Sequence, residues 1–171
     1  MRNPLFVLGL AAILVALAAS PAPLAAQTPT PVPADEAPAV SQADALAAWQ
    51  RFKAAPLERM EDAPTFLRYM QRGGVHTVLN SNLLFFMYQD YPREAQAVLY
   101  SAYMGGNLES QLVTRKQGDD PEAAMSAVLD AYATLIAARP ELAIKRLDEL
   151  RVAREQGTFA AAVADLGQGK P

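Results

Sequence analysis

The sequence predicts an all-α fold, a compact single domain of seven or eight short-to-medium helices in an orthogonal or bundle-like arrangement. Three observations predict it. Apolar residues recur at helical spacing over most of the chain after Ser41. Proline and glycine fall where such runs start and stop. Alanine is abundant, and the β-branched alternation of a strand is absent.

Each element has its own signal. Ser41 to Asp44 is a capping-box-like start, with Asp where Glu or Gln is preferred. Leu46, Trp49 and Phe52 then share a face, and Pro56 limits the helix. Asp62-Ala63-Pro64 opens a second helix, with proline near its first position and Gly73-Gly74 as its stop. Val75 to Tyr91 is strongly apolar. Within it, Leu83-Leu84-Phe85-Phe86-Met87-Tyr88 is apolar all round, which predicts a central helix, capped or bent at Asn80-Ser81-Asn82.

Pro92 starts the next helix, for which Gly105-Gly106 is the expected stop. Asn107 is expected to cap a short segment reaching Gln117, which Gly118 closes. Asp120-Pro121-Glu122 combines a capping carboxylate, a first-position proline and an acid facing the helix dipole. Val128, Leu129, Tyr132, Leu135 and Ile136 form the stripe that follows. Pro140-Glu141 opens a helix carrying Leu142, Ile144, Leu147, Leu150 and Val152 before Gly157, and Thr158 caps a last one ending near Gly167. Pro92, Pro121 and Pro140 each have alanine three residues on and leucine or valine seven on, but they lie 29 and 19 residues apart. No solenoid period explains that, and shared helix-start chemistry does.

The N-terminus carries a different pattern. Arg2 precedes Leu5–Ala19, an apolar run of 15 residues, and Ser20-Pro21 breaks it before Leu24-Ala25-Ala26. That order predicts a bacterial secretory signal over residues 1–26, cleaved near Ala26, and a periplasmic or secreted protein. The run is shorter than the roughly 20 residues that span a bilayer. The only expected membrane attachment is this segment, if it is left uncleaved. Residues 27–40 hold Pro29, Pro31, Pro33 and Pro38 among small residues and read as a Pro/Ala-rich flexible linker. The helical domain is expected over 41–167 and a disordered tail over 168–171.

Composition excludes several classes. Without cysteine there is no disulfide framework, thiolate metal site or cysteine nucleophile, and no cysteine follows the signal to carry a lipid. The formal charge of −3 becomes −4 when Arg2 leaves with the signal, and no run of five like charges occurs. Nucleic acid is therefore not an expected partner. One histidine and carboxylates without calcium-loop spacing predict no metal, and no glycine-rich phosphate loop or Gly-x-Ser-x-Gly elbow predicts a cofactor or a serine nucleophile.

Three features remain as candidate sites. His76 stands beside Val75, Thr77 and Val78, none of which can orient or use it as a base. Glu109-Ser110 resembles the Glu-Ser pair of lytic transglycosylases, which implies a general acid on a helix. The resemblance covers two residues: the Gly-Leu-Met-Gln stretch and the later Tyr-Asn motif of that family are missing. Third, eight of the 12 aromatics after the signal lie between Phe66 and Tyr103. Phe66, Tyr69, Phe85, Phe86, Tyr88, Tyr91, Tyr100, Tyr103 and Met104 form either the core or an apolar pocket or groove. The functional expectation is an exported, non-enzymatic protein acting through another envelope protein, as an adaptor or assembly factor. The alternative is a carrier of a small apolar ligand in a Tyr/Phe/Met-lined pocket, and the third reading is a glycosidase using Glu109.

Overall fold

The computed structural model describes residues 39–170, so the expected signal and residues 27–38 of the linker lie outside the described residues. The first helix begins where the capping signal places it. Helix α1 spans Gln42–Ala54, and the Ser41 hydroxyl oxygen accepts from the Asp44 N–H at 3.1 Å. The same hydroxyl donates to the Asp44 carboxylate at 2.6 Å, so the aspartate holds the capping serine through its hydroxyl and not through the backbone N–H that a capping-box Glu takes. Ala45, Ala48, Trp49 and Phe52 face inward, and Leu46 is only partly buried.

Helix α2, Ala63–Tyr69, starts at the predicted Asp-Ala-Pro signal. Asp62 does not cap it, because Arg51 of α1 takes its carboxylate through Nε and Nη2, at 3.0 and 2.5 Å. That bond comes first in holding the Asp62 carboxyl below its usual range. The chain leaves α2 through a wide helical turn, Met70–Gly74, in which Gly73 takes φ +83°. A left-handed conformation of this kind suits glycine, so the predicted stop is a real one.

The predicted central helix within Val75–Tyr91 is not there. Residues 75–80 run without helix, and residues 81–84 turn. Phe85–Tyr88 make a single 3₁₀ turn. Leu83, Leu84 and Phe86 are buried while Tyr88 is 73% exposed, so the run is not apolar on all sides of a cylinder. Non-local polar bonds fix this shape. Asn80 and Asn82 both donate from Nδ2 to the Gly167 carbonyl, and Asn80 Oδ1 accepts from the Asn82 N–H. Asparagine side chains that bond backbone this way compete with helix.

Helix α3 corrects a second expectation. It spans Arg93–Leu112 and passes through Gly105-Gly106 without stopping, so the separate segment capped by Asn107 does not exist. The glycines are there for space. A Cβ on Gly105 would lie 2.0 Å from Trp49 Cε3, and one on Gly106 would lie 2.6 Å from the Ala123 carbonyl oxygen. Helix α4, Pro121–Ala138, crosses at Gly106, and α3 with α4 is the most extensive helix pair of the fold. Asn107 is wholly buried in α3 and accepts the Asp120 N–H at 2.7 Å. It thereby ties α3 to the first residue before α4.

Helix α4 begins as predicted, with Asp120 accepting from the Ala123 N–H and Pro121 next. Its stripe of Val128, Leu129, Tyr132 and Leu135 is buried, with Ile136 at the margin. The expected helix from Pro140 is interrupted. Pro140–Leu142 form one 3₁₀ turn, and α5 spans Lys145–Glu155. The break lies where the Ile144 N–H donates to the Tyr132 hydroxyl at 2.7 Å, outside any helix ladder. Helix α6 spans Phe159–Gly167 and begins at Thr158, whose hydroxyl donates to the Ala153 carbonyl instead of capping. Residues 168–169 form a turn in which Gly169 takes φ +72°.

The described residues are thus all-α, with six α-helices: of the eight expected, the one within Val75–Tyr91 is reduced to a 3₁₀ turn and the one from Asn107 is part of α3. Trp49, Phe52 and Phe66 pack ring to ring at 5.7 Å at one end of the core. Tyr103, Leu99, Val128 and Leu129 continue it between α3 and α4. Among the described residues no helix is long and apolar enough to cross a membrane.

Candidate functional site

The aromatic and methionine cluster divides by burial. Phe66, Phe86, Tyr103 and Met104 lie in the core. Tyr69, Phe85, Tyr91 and Tyr100 are half-buried against it, and Tyr88 is exposed. Burial raises the Tyr103 phenol well above its usual range, and Asp119 adds to the rise. Tyr91 is pushed up to about 12, first by burial, then by Tyr132 and Asp148. Its buried hydroxyl has no hydrogen-bond partner among the described residues. Phe85 and Tyr88 border an open cavity of about 310 Å³, which the other residues of the cluster do not line.

Glu109 sits on α3 over a cleft of about 300 Å³ that Lys53, Ser110, Asp120 and Asp130 also line. Its partners come from one face of α1. Trp49 Nε1 donates to Oε2 at 3.0 Å, Gln50 Nε2 to Oε1 at 3.1 Å, and Lys53 Nζ to Oε2 at 2.8 Å. Burial pushes the carboxyl up, but the bonds from Lys53, Trp49 and Gln50 outweigh it and the net shift is downward. A general acid needs the reverse, a carboxyl that keeps its proton near neutral pH. Glu109 instead joins α1 to α3.

Asp120, in the same cleft, takes a short bond from the Ser110 hydroxyl and pairs with Lys116 at 2.8 Å. Burial raises its carboxyl, and Lys116, Ser110 and the Ala123 N–H together bring it below the usual value. Asp119 shifts the other way. Burial raises it, with the Asp120 charge adding, against the Val78 N–H, His76 and Asn107. The Asn107 Nδ2 has no partner at full hydrogen-bond geometry, although it favours the charged form of Asp119.

His76 is exposed in the extended stretch after Gly74. Its backbone is read by Gln111, which accepts the His76 N–H at 2.9 Å and donates to the His76 carbonyl at 2.5 Å. Asp119 accepts the Val78 N–H at 3.1 Å. These side chains fasten residues 76–78 to the end of α3 and to the residue before the α4 cap. No group of three or more His, Asp or Glu among the described residues is placed to hold a metal.

One surface was absent from the sequence reading. A shallow groove of about 660 Å³ runs along the outer side of α5. Ala143, Val152 and Ala153 line it together with Lys145, Asp148, Glu149 and Gln156. Val152 is 48% exposed, although the sequence placed it in the apolar stripe. The signal for this was present. Val152 lies five residues beyond Leu147, about 140° around a helix that turns 100° per residue, so it leaves the Leu147–Leu150 face.

No protein-family model matches the sequence, and neither a curated protein nor a solved structure shows detectable similarity to it.

Proposed function

We propose that this chain is an exported, non-enzymatic helical protein of the cell envelope that acts by binding a protein partner. The observation that carries the reading is the α5 groove. Ala143, Val152 and Ala153 lie there among charged neighbours on one side of α5, a surface against which the apolar face of an amphipathic helix can pack. The edge charges are already paired, Lys145 with Glu149 at 3.6 Å and Asp148 with Arg151 at 3.4 Å. Recognition by apolar fit therefore needs no new buried charge. The ionised, three-fold bonded Glu109 supports the non-enzymatic part. The Arg2, Leu5–Ala19 and Ala26 pattern supports export.

The test places a photo-crosslinking residue at Val152 and, separately, at exposed Glu58, in cells that export the chain. The expected result is one protein adduct from position 152 and none from 58. A second version carrying Ala153→Arg beside the crosslinker should lose that adduct while keeping its thermal midpoint. Equal adducts from both positions, or an adduct indifferent to Ala153→Arg, would overturn the reading.

A further inference from the structure

A different surface has the make-up of a small-ligand site. The cavity of about 310 Å³ beside the Phe85–Tyr88 turn is bounded on its other side by Arg146 of α5 and by Lys170 after α6. It is at the lower end of ligand-pocket sizes, with room for a single ring. Tyr88, 73% exposed, brings an aromatic ring to its lining. Ser81 and Gln89 also line it, and neither side chain has a hydrogen-bond partner among the described residues.

Arg146 is the decisive residue. Its guanidinium lies over the Phe85 ring at 5.9 Å and donates through Nη2 to the Lys170 carbonyl at 3.0 Å. The left-handed Gly169 turns the chain just ahead of that carbonyl. The guanidinium is thus held by a ring and a backbone oxygen, and no carboxylate among the described residues pairs with it. The nearby acids are engaged elsewhere: Asp165 pairs with Lys170 at 2.9 Å and Glu149 with Lys145. An oriented arginine with uncommitted donors is suited to bind a planar carboxylate through two hydrogen bonds.

The remaining surroundings choose among carboxylates. A lone carboxylate would use the guanidinium and leave the tyrosine face unfilled. A saturated ring with hydroxyls uses both, its C–H face on the tyrosine and its hydroxyls on Ser81 and Gln89. We propose that this groove binds an acidic sugar, with its carboxylate on Arg146 and its ring on Tyr88. This site is separate from the α5 groove and does not depend on the partner reading.

The experiment titrates the purified chain with methyl glucuronide and, as the neutral match, methyl glucoside, followed by calorimetry and by NMR of the Tyr88 ring. The glucuronide should bind roughly tenfold more tightly, the worth of one charge-assisted pair. Arg146→Gln should remove that advantage and leave the glucoside unchanged. Tyr88→Ala should weaken both sugars by roughly fivefold. Tyr88 is exposed and Arg146 half-buried, and circular dichroism verifies that each variant is folded. Equal affinity for the two sugars, or no binding of either, overturns the proposal. So does acetate binding as tightly as the glucuronide, which would mean a site for carboxylate alone. Tighter binding of N-acetyl-Ala-Ala would overturn it in favour of a peptide terminus.

Discussion

Replacing Gly106 with alanine tests the reading of α3 as one unbroken helix pressed against α4. A Cβ at that position would stand 2.6 Å from the Ala123 carbonyl oxygen and 2.8 Å from the Ala124 Cα. Ordinary contact begins near 3.4 Å, so the shortfall is 3.4 − 2.6 = 0.8 Å. The obstructing atoms are the backbone of α4, which cannot rotate away as a side chain would. Overpacking of this kind costs about 1–3 kcal/mol. Alanine recovers up to about 1 kcal/mol of helix propensity over glycine. The net expectation is a loss of about 1 kcal/mol, a drop in Tm of roughly 3–5 °C for a domain of this size. Asparagine separates the two explanations for the glycine. It is tolerated at a left-handed helix stop, but at a tight crossing it should be worse than alanine. Gly167→Ala is the control, because its Cβ would meet nothing closer than 3.5 Å. Urea and thermal melts followed by circular dichroism supply the measurement. If Gly106→Ala is as stable as the parent, or Gly106→Asn is milder than Gly106→Ala, the close-crossing argument is wrong.

Other expectations follow from the polar links. Glu109→Gln should cost about 1–2 kcal/mol by loss of its charge-assisted bonds. Because the Glu109 carboxyl is lowered in the fold, its contribution is present above the usual glutamate pKa and disappears as the pH falls through the folded value. The variant's deficit should therefore shrink in acid-range melts, and a deficit constant with pH refutes the link. Asp119 has the opposite sign: its carboxyl is raised, so its ionised form is disfavoured in the fold. Asp119→Asn keeps an oxygen for the Val78 N–H and should stabilise at neutral pH, with the gain vanishing as the pH falls and the wild-type carboxyl takes up its proton. Tyr132→Phe removes the acceptor for the buried Ile144 N–H and should cost about 1–3 kcal/mol, measured as a lowered urea midpoint at unchanged m-value.

Much of the fold was legible because its signals are local. Ser41, Pro64 and Asp120-Pro121 announce helix starts with chemistry confined to one turn, and Gly73 announces a stop. The misreadings share a different cause. Gly105-Gly106 looks like Gly73-Gly74 in sequence, but its meaning lies in Trp49 and Ala123, each more than a dozen residues away. The apolar run from Leu83 is denied a helix by asparagines bonded to Gly167. The Pro140 helix is split by a hydroxyl on α4. Site residues follow the same division. The aromatic cluster could be named from composition, but the partners of Glu109, at positions 49, 50 and 53, emerge only when α1 docks on α3. Arg146 has no distinguishing sequence neighbour. Its orientation comes from Phe85 and Lys170, one far before it and one after it.

The crossing of α1 over α3 has an optical consequence. Trp49 is the sole tryptophan of the chain, so every indole photon originates at that crossing. The ring lies against Gly105, is 1% exposed, and gives its N–H to a carboxylate. Lifting α1 would move the fluorophore from a dry, rigid slot into water while the rest of the helical signal changed little. Emission wavelength and anisotropy therefore report the undocking of this one helix, separately from global melting, with no label attached.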